Sequence, residues 1–149
     1  MQQSESIHFT LARSYLAYYL CSIVGLFADT FINFTFDIPG AARLAIIFFV
    51  IGTLCILWAQ LTSHRFRNIP EKGPYFLHGP YRFIRNPTHL GIVLLVSGYT
   101  LVSSSLVFFA ITVLGYLVSN IFFKKYEAIL DRTYGEDYKN YQASTPRIL

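Results

Sequence analysis

The chain has 149 residues, which fits one domain, and 54% of them are hydrophobic while only 13% are charged. The apolar residues form long runs with no polar residues to cover their faces, which argues against a soluble helical protein. The net charge of +4 suits anionic lipid headgroups better than nucleic acid, because the basic residues stand beside the apolar runs. Cys21 and Cys55 lie inside apolar runs in no metal-binding spacing, so we expect neither a disulfide nor a metal site.

Four membrane helices are predicted in chain order, at about 14–36, 44–61, 87–102 and 106–133. The last two come from one uncharged run, residues 90–123, which would be about 51 Å long as a single helix. A hydrocarbon core is only ~30 Å thick, so we predict a hairpin of helices 3 and 4 that turns at the serines 103–105. The predicted fold class is therefore an all-α, polytopic membrane protein with four transmembrane helices and a cytoplasmic C-terminal helical extension.

The distribution of Lys and Arg predicts the orientation in the membrane. With four spans, the N-terminus, the loop 62–89 and the tail 134–149 lie on one side, and every Lys and Arg except Arg43 falls on that side. The positive-inside rule places both termini in the cytoplasm, with an inner or plasma membrane location if the source is bacterial. The residues before Tyr15 show no cleavage-site pattern, so we predict no removable signal peptide.

The loop 62–89 is rich in proline and therefore stiff, and it leads directly into the third helix. Pro87 suits the first turn of that helix. Arg85 and His89 flank its N-terminus, where unpaired N–H groups favour a carboxylate or phosphate. The alternative is structural: Arg85 as an ordinary membrane anchor, Asn86 as a plain N-cap, and His89 as a packed, hydrogen-bonded histidine.

A second polar cluster runs from Glu127 to Arg147 at the end of the fourth helix. Glu127 and Asp131 stand four residues apart and share a helix face, which fits either acid–base chemistry or a solvated acidic surface. Gly135 is placed to end the helix, and the residues after it fit a short amphipathic helix. Asp29, the acid within the first apolar run, lies far from both clusters, so we interpret it as a structural hydrogen-bonding group.

Two motifs resemble a known family. Gly79-Pro80-Tyr81 followed by Arg85-Asn86-Pro87-x-His89-Leu90-Gly91 resembles the Gly-x-Tyr…Arg-His-Pro-x-Tyr-x-Gly motif of isoprenylcysteine carboxyl methyltransferases, which related phospholipid methyltransferases share. The tail, Glu127-x-x-Leu130-x-x-x-Tyr134-Gly135-x-x-Tyr138-x-x-Tyr141…Pro146-Arg147, resembles their Glu-Glu-x-x-Leu-x-x-x-Phe-Gly-x-x-Tyr-x-x-Tyr…Pro-Arg ending. The resemblance covers roughly residues 50–149.

This resemblance implies an integral-membrane methyltransferase that uses S-adenosylmethionine and acts on a lipid-like or prenylated acceptor, with membrane lipids as its surroundings. The alternatives are a phospholipid N-methyltransferase and a non-catalytic relative that serves as a membrane binding or assembly protein. By position in the motifs, the catalytic residues would be Arg85 and Glu127. The cofactor-binding residues would be Tyr75, Phe76, Tyr81, Asn86, Pro87, His89 and Glu127.

The chain departs from the family pattern at three positions, and these departures favour the non-catalytic alternative. Asn86 stands in place of the usual His and cannot titrate. His89 stands in place of the usual Tyr. Tyr126 stands in place of the first acid of the Glu-Glu pair, so Glu127 would have to make the contact expected of that acid.

Overall fold

The computed structural model of the chain describes the backbone of residues 2–32, 34–67 and 75–147, and their side chains from residue 12 onward except at 14, 66, 67 and 75. Within these ranges the chain forms helices α1 (Gln2–Asp29), α2 (Ala41–Arg67), α3 (Pro87–Ser103), α4 (Leu106–Tyr134) and α5 (Glu136–Ser144). Two short 3-10 helices, Tyr75–Leu77 and Gly79–Arg82, precede α3. The predicted all-α fold class is confirmed for the described residues.

Two of these helices are long and apolar enough to cross a membrane, over Ala41–Arg65 and Leu106–Tyr134. The apolar part of α1, Tyr15–Asp29, and α3 are apolar but shorter. Association with a membrane follows from the two long helices, whose apolar surfaces are largely exposed. The count of four spans stays a prediction.

The first helix differs from its predicted bounds of 14–36, because α1 begins at Gln2 and ends at Asp29. The backbone beyond Asp29 hydrogen bonds to another part of the chain instead of continuing the helix. The N–H of Phe36 donates to the carbonyl oxygen of Ser104 at 2.9 Å, and the N–H of Leu106 donates to that of Phe34 at 2.9 Å. This pairing ties the α1–α2 connection to the α3–α4 turn.

The second helix is longer than the predicted 44–61, because α2 runs from Ala41 to Arg67. The polar residues after Leu61 carry no helix-breaking residue before residue 70, so the helix continues into the segment predicted as loop. The loop of 62–89 is correspondingly shorter. Its residues 68–74, which include most of the first Gly-Pro-Tyr copy, lie outside the described residues.

The predicted turn at residues 103–105 is confirmed. Ser104 adopts the left-handed conformation with φ of 52° and ends α3, and Ser105 caps α4 by accepting the N–H of Phe108 at 3.0 Å. The buried Ser105 hydroxyl also donates to the carboxylate of Asp29. The interpretation of Asp29 as a structural hydrogen-bonding group is therefore confirmed.

The helices associate in two pairs, α1 with α4 and α2 with α3, while α3 and α4 meet over only a short stretch. The predicted turn between helices 3 and 4 is therefore present, but the two helices pack mainly against α2 and α1 and not against each other. Glycines explain the pairing, because they let helix backbones approach closely. A Cβ on Gly91 would lie 2.7 Å from the carbonyl oxygen of Gly52, and one on Gly115 would lie 2.7 Å from Cβ of Cys21.

The C-terminal segment folds back onto the start of α3. Gly135, with φ of 57°, ends α4 as predicted, and the chain continues as α5. This helix buries Tyr138 and Tyr141. The carbonyl oxygen of Pro146 then accepts the backbone N–H of Arg85 at 3.0 Å. The two motif segments of the sequence are therefore in direct contact.

Candidate active site

An aromatic core joins the loop before α3 to the end of α4 and to α5. Its centre is Phe76, which is 2% exposed and has ring centroids of Tyr141, Tyr134 and Tyr138 at 4.9, 5.1 and 5.4 Å. Burial of aromatic rings in such a cluster is a large stabilising term. The buried members are Phe76, Phe123, Tyr126, Leu130, Tyr138 and Tyr141, with Tyr15, Tyr81 and Tyr134 packed against them. Phe76 and Tyr81, both predicted site residues, are thus brought into one cluster.

The Gly-Pro-Tyr segment at 79–81 is held from two sides. Gly79 has φ of 56°, and a side chain there would collide with Thr62 of α2, so glycine is required. On the other side the Tyr141 hydroxyl donates to the carbonyl oxygen of Tyr81 at 2.6 Å. The loop is therefore docked against both α2 and α5.

Arg85 and Glu127, the predicted catalytic residues, form an ion pair. Nη1 of Arg85 lies 3.1 Å from Oε1 of Glu127, and the two side chains are only 16% and 13% exposed. A second guanidinium approaches the same oxygen, with Nε of Arg147 at 3.8 Å. We call these three residues the charged triad. Its net charge of one positive unit suits an anionic group on a ligand.

Arg147 was not predicted as a site residue. The signal for it was present, because Pro146-Arg147 closes the tail motif, but only the fold shows that the chain end reaches Glu127. Arg147 is further fixed by donating from Nη2 to the carbonyl oxygen of Asn120 at 3.4 Å. Placement of Glu127 between two arginines also excludes the interpretation of this residue as part of a solvated acidic surface.

Tyr138 adjoins the charged triad and was not predicted as a site residue either. Burial, and after it the negative charge of Glu127, raise its pKa to about 12, although Arg85 opposes both effects through its charge and a side-chain hydrogen bond. The phenol therefore stays protonated at neutral pH. Because the Tyr138 hydroxyl is neutral, the charged groups of the site are the charged triad and Asp131.

His89 lies in the first turn of α3 and packs against aromatic rings of α1 and α4. Its side chain is 2% exposed, and its ring centroid lies 4.4 Å from that of Phe123, 5.4 Å from that of Tyr116 and 6.1 Å from that of Tyr18. We call these three side chains the aromatic box. Neither imidazole nitrogen has a hydrogen-bond partner in the described part of the chain. His89 is packed, as one interpretation required, but it is not hydrogen bonded, and an unpaired buried polar group costs about 1–3 kcal/mol.

The remaining predicted residues surround the start of α3. Asn86 occupies the N-cap position, yet its side chain makes no capping hydrogen bond and is 8% exposed, which corrects its interpretation as a plain N-cap. Pro87 is the first helical residue, as predicted, and its carbonyl oxygen accepts from Sγ of Cys55 at 3.2 Å. Tyr75 begins the first 3-10 helix, but its side chain lies outside the described residues.

Several buried polar atoms near the triad lack hydrogen bonds among the described residues: Nε of Arg85, Oε1 of Glu127, Oδ1 of Asp131 and both nitrogens of His89. Oε1 of Glu127 has its two guanidinium neighbours as ion-pair partners only. Buried polar atoms are ordinarily paired, so a concentration of unpaired ones marks a place where a polar ligand can bind. The atoms include both donors and acceptors, which suits a ligand carrying charges of both signs.

Comparison with known families gives one match. A family model described as phospholipid methyltransferase matches residues 41–137, from the start of α2 into α5. No curated protein and no solved structure matches the chain. The matched span contains Phe76, the Gly-Pro-Tyr segment at 79–81, Arg85, His89 and Glu127.

Proposed function

The chain belongs to the phospholipid methyltransferase family, and from that premise we propose that it is an integral-membrane enzyme that transfers a methyl group from S-adenosylmethionine to a lipid-like acceptor. The observation that carries the proposal is the convergence of both sequence motifs on the charged triad. Arg85 comes from the start of α3, Glu127 from α4 and Arg147 from the chain end, and they meet within 4 Å of one carboxylate oxygen. Fixed placement of charged groups at one point is what a bimolecular transfer requires of a protein.

We propose a single domain, 1–149, with four spans and both termini in the cytoplasm. Two short apolar helices accompany the two long ones, and each short helix is packed along a long partner, α1 with α4 and α3 with α2. This pairing supports four spans, because neither short helix has a polar face to present to water. The distribution of Lys and Arg supports a cytoplasmic location for the charged triad.

The residues around the triad suit S-adenosylmethionine in their chemistry. Faces of Tyr75, Phe76 and Tyr81 would hold a sulfonium by cation–π attraction, with Asn86 and Pro87 as the adjoining wall. Glu127 would attract the ammonium group, and the unpaired Oδ1 of Asp131 offers a second acceptor for it. When bound, the cofactor supplies an electrophilic methyl group. The protein supplies orientation and a water-poor surrounding, and His89 in the first turn of α3 would adjoin these residues.

The family match favours phospholipid amines over a prenylated carboxylate as the acceptor. Both acceptors carry an anionic group that the triad could bind, a phosphate in the first and the reacting carboxylate in the second. The name of the matching family supports the first. Tyr126, which stands where the family motif has an acid, is 6% exposed and belongs to the aromatic core. A structural role explains this departure, so it does not argue against catalysis.

Titration calorimetry of S-adenosylmethionine into detergent-purified protein tests the proposal. We expect saturable binding, weakened at least about tenfold by Glu127→Gln, since loss of a charged hydrogen bond costs about 1.5–3 kcal/mol. Glu136→Gln is the matched control, because Glu136 is exposed and forms an exposed ion pair with Lys139. Absence of binding at millimolar cofactor would overturn the enzyme proposal and leave the binding or assembly alternative. Incubation of membranes with radiolabelled cofactor then shows which lipid or protein fraction is methylated.

A further inference from the structure

His89 has an arrangement that neither packing nor the proposed cofactor contacts explain. It is a polar side chain almost fully buried between three aromatic rings, with both nitrogens unpaired among the described residues. A purely structural residue at this position would be apolar, or its nitrogens would be bonded to a neighbour. The two imidazole nitrogens therefore have no partner within the described part of the chain and are available to a bound ligand.

The aromatic box defines where that partner can enter. Tyr18 of α1 and Phe123 of α4 are each 1% exposed, whereas Tyr116, about two turns before Phe123 on α4, is only half-buried. Tyr116 stacks on the imidazole with an interplanar angle of 24°. Tyr116 is therefore the least buried wall of the box, and movement of this one ring would expose the imidazole to a lipid headgroup.

The charges around the box indicate the chemistry of the partner. Arg147 is near enough to act electrostatically on His89, and it belongs to the net-positive triad. The box itself carries no charge and offers aromatic faces together with an imidazole nitrogen lone pair. A zwitterionic group fits this pair of environments, with its phosphate at Arg147 and its ammonium among the aromatic faces.

We propose that His89 is the residue that contacts the acceptor, accepting a hydrogen bond from the N–H of an amine-bearing phospholipid whose headgroup occupies the aromatic box. This inference rests on the proposed function, and it assigns His89 to the acceptor and not to the cofactor. It also gives a reason for a histidine at 89: an imidazole nitrogen receives an N–H of the lipid amine, while Tyr, the usual residue of the motif, would offer a hydroxyl on a longer arm.

Nuclear magnetic resonance of protein labelled with ¹⁵N in its histidine rings tests the contact without turnover. The chain has four histidines, and His89→Gln identifies the His89 signals. We expect the signal of the accepting nitrogen to shift when short-chain phosphatidylethanolamine is added without cofactor, and to shift much less with phosphatidylcholine, which can enter the aromatic box but has no N–H to donate. Equal shifts with both lipids, or a shift only with a farnesylated cysteine, would overturn the proposal.

Kinetics of the same lipid supply the second test. His89→Phe should raise KM for phosphatidylethanolamine about tenfold, the value of one lost hydrogen bond, while cofactor affinity stays within about twofold. His89→Gln should recover most of that loss, and it serves alone if the Phe variant does not fold. His64→Gln, on the exposed side of α2, is the matched control. Loss of cofactor binding with unchanged KM would show that His89 belongs to the cofactor site. Lipid-induced shifts without any methyl transfer would refute the proposed function but support this contact.

Discussion

Glu127→Gln is the sharpest test of how the site is held together. The substitution keeps the shape of the side chain but removes its charge, so Arg85 and Arg147 are left facing each other without a carboxylate. Because Oε1 of Glu127 is 3.1 Å from one guanidinium and 3.8 Å from the other, a single change affects both ion pairs. The loss should reach well beyond the immediate contact, since the pairs connect α3, α4 and the chain end.

The size of the effect follows from burial. Removing one member of a fully buried ion pair costs about 3–5 kcal/mol. The side chains of Arg85 and Glu127 are 16% and 13% exposed and that of Arg147 is 25% exposed, so water screens part of the charge. We therefore expect Glu127→Gln to lower the free energy of unfolding by about 2–3 kcal/mol. The double variant with Arg85→Met should be about 1–2 kcal/mol more stable than the sum of the single effects, because the residues are coupled.

Unfolding by SDS in mixed micelles, followed by fluorescence of the single tryptophan, measures this effect. Trp58 lies 6.4 Å from the ring of Phe83, so its emission reports whether the loop before α3 remains docked on α2. Glu136→Gln is the control, since water screens its exposed pair with Lys139 and its loss should leave the unfolding midpoint unchanged. If Glu127→Gln and Glu136→Gln destabilised the protein equally, the reasoning from burial would be refuted.

Three further predictions concern stability. Gly91→Ala should cost about 1–3 kcal/mol in the same unfolding assay, because its Cβ would lie 2.5 Å from Cγ1 of Ile56, and an unchanged midpoint would contradict the close helix approach. Tyr141→Phe should cost about 1 kcal/mol and speed proteolysis of the loop at 75–82, because it removes the 2.6 Å hydrogen bond to the carbonyl oxygen of Tyr81. The pKa of Tyr138 is raised from 10.0 to about 12, so between these pH values the unfolded chain loses the phenol proton before the folded protein does. The contribution of the protonated phenol to the free energy of unfolding is therefore complete below pH 10 and is lost as pH rises through about 12. Wild-type protein should therefore lose up to about 2–3 kcal/mol over that interval, whereas Tyr138→Phe should lack this component of the alkaline loss.

The fold was predictable to the extent that it depends on local signals. The apolar runs, Pro87 at a helix start, the serines at 103–105 and Gly135 at a helix end each act within a few residues. The pairing of α1 with α4 was not predictable in this way, because it depends on how Gly25 and Gly115 fit against side chains of the partner helix. The end of α1 at Asp29 also depends on distant residues, since the backbone after Asp29 hydrogen bonds to residues of the α3–α4 turn.

The candidate site was predictable where a residue lies in a motif, and not where its partner lies far along the chain. Arg85 and Glu127 were identified by the resemblance, yet their ion pair spans two helices and became visible only in the fold. Tyr138 was present in the tail motif without an assigned role. The unpaired state of His89 could not be anticipated, because hydrogen bonding of a buried histidine depends on every neighbour that the fold brings to it.

The family model matches only some of the residues that form the candidate site. The family match covers 41–137 and supplies Arg85, His89 and Glu127. Tyr18, which forms one wall of the aromatic box, precedes the match, and Arg147, which completes the triad, follows it. The matched span therefore contains Arg85, His89 and Glu127, whereas Tyr18 beside His89 and Arg147 beside Glu127 lie outside it. Substitutions at Tyr18 and Arg147 should accordingly alter which lipid is accepted more than how the cofactor is held.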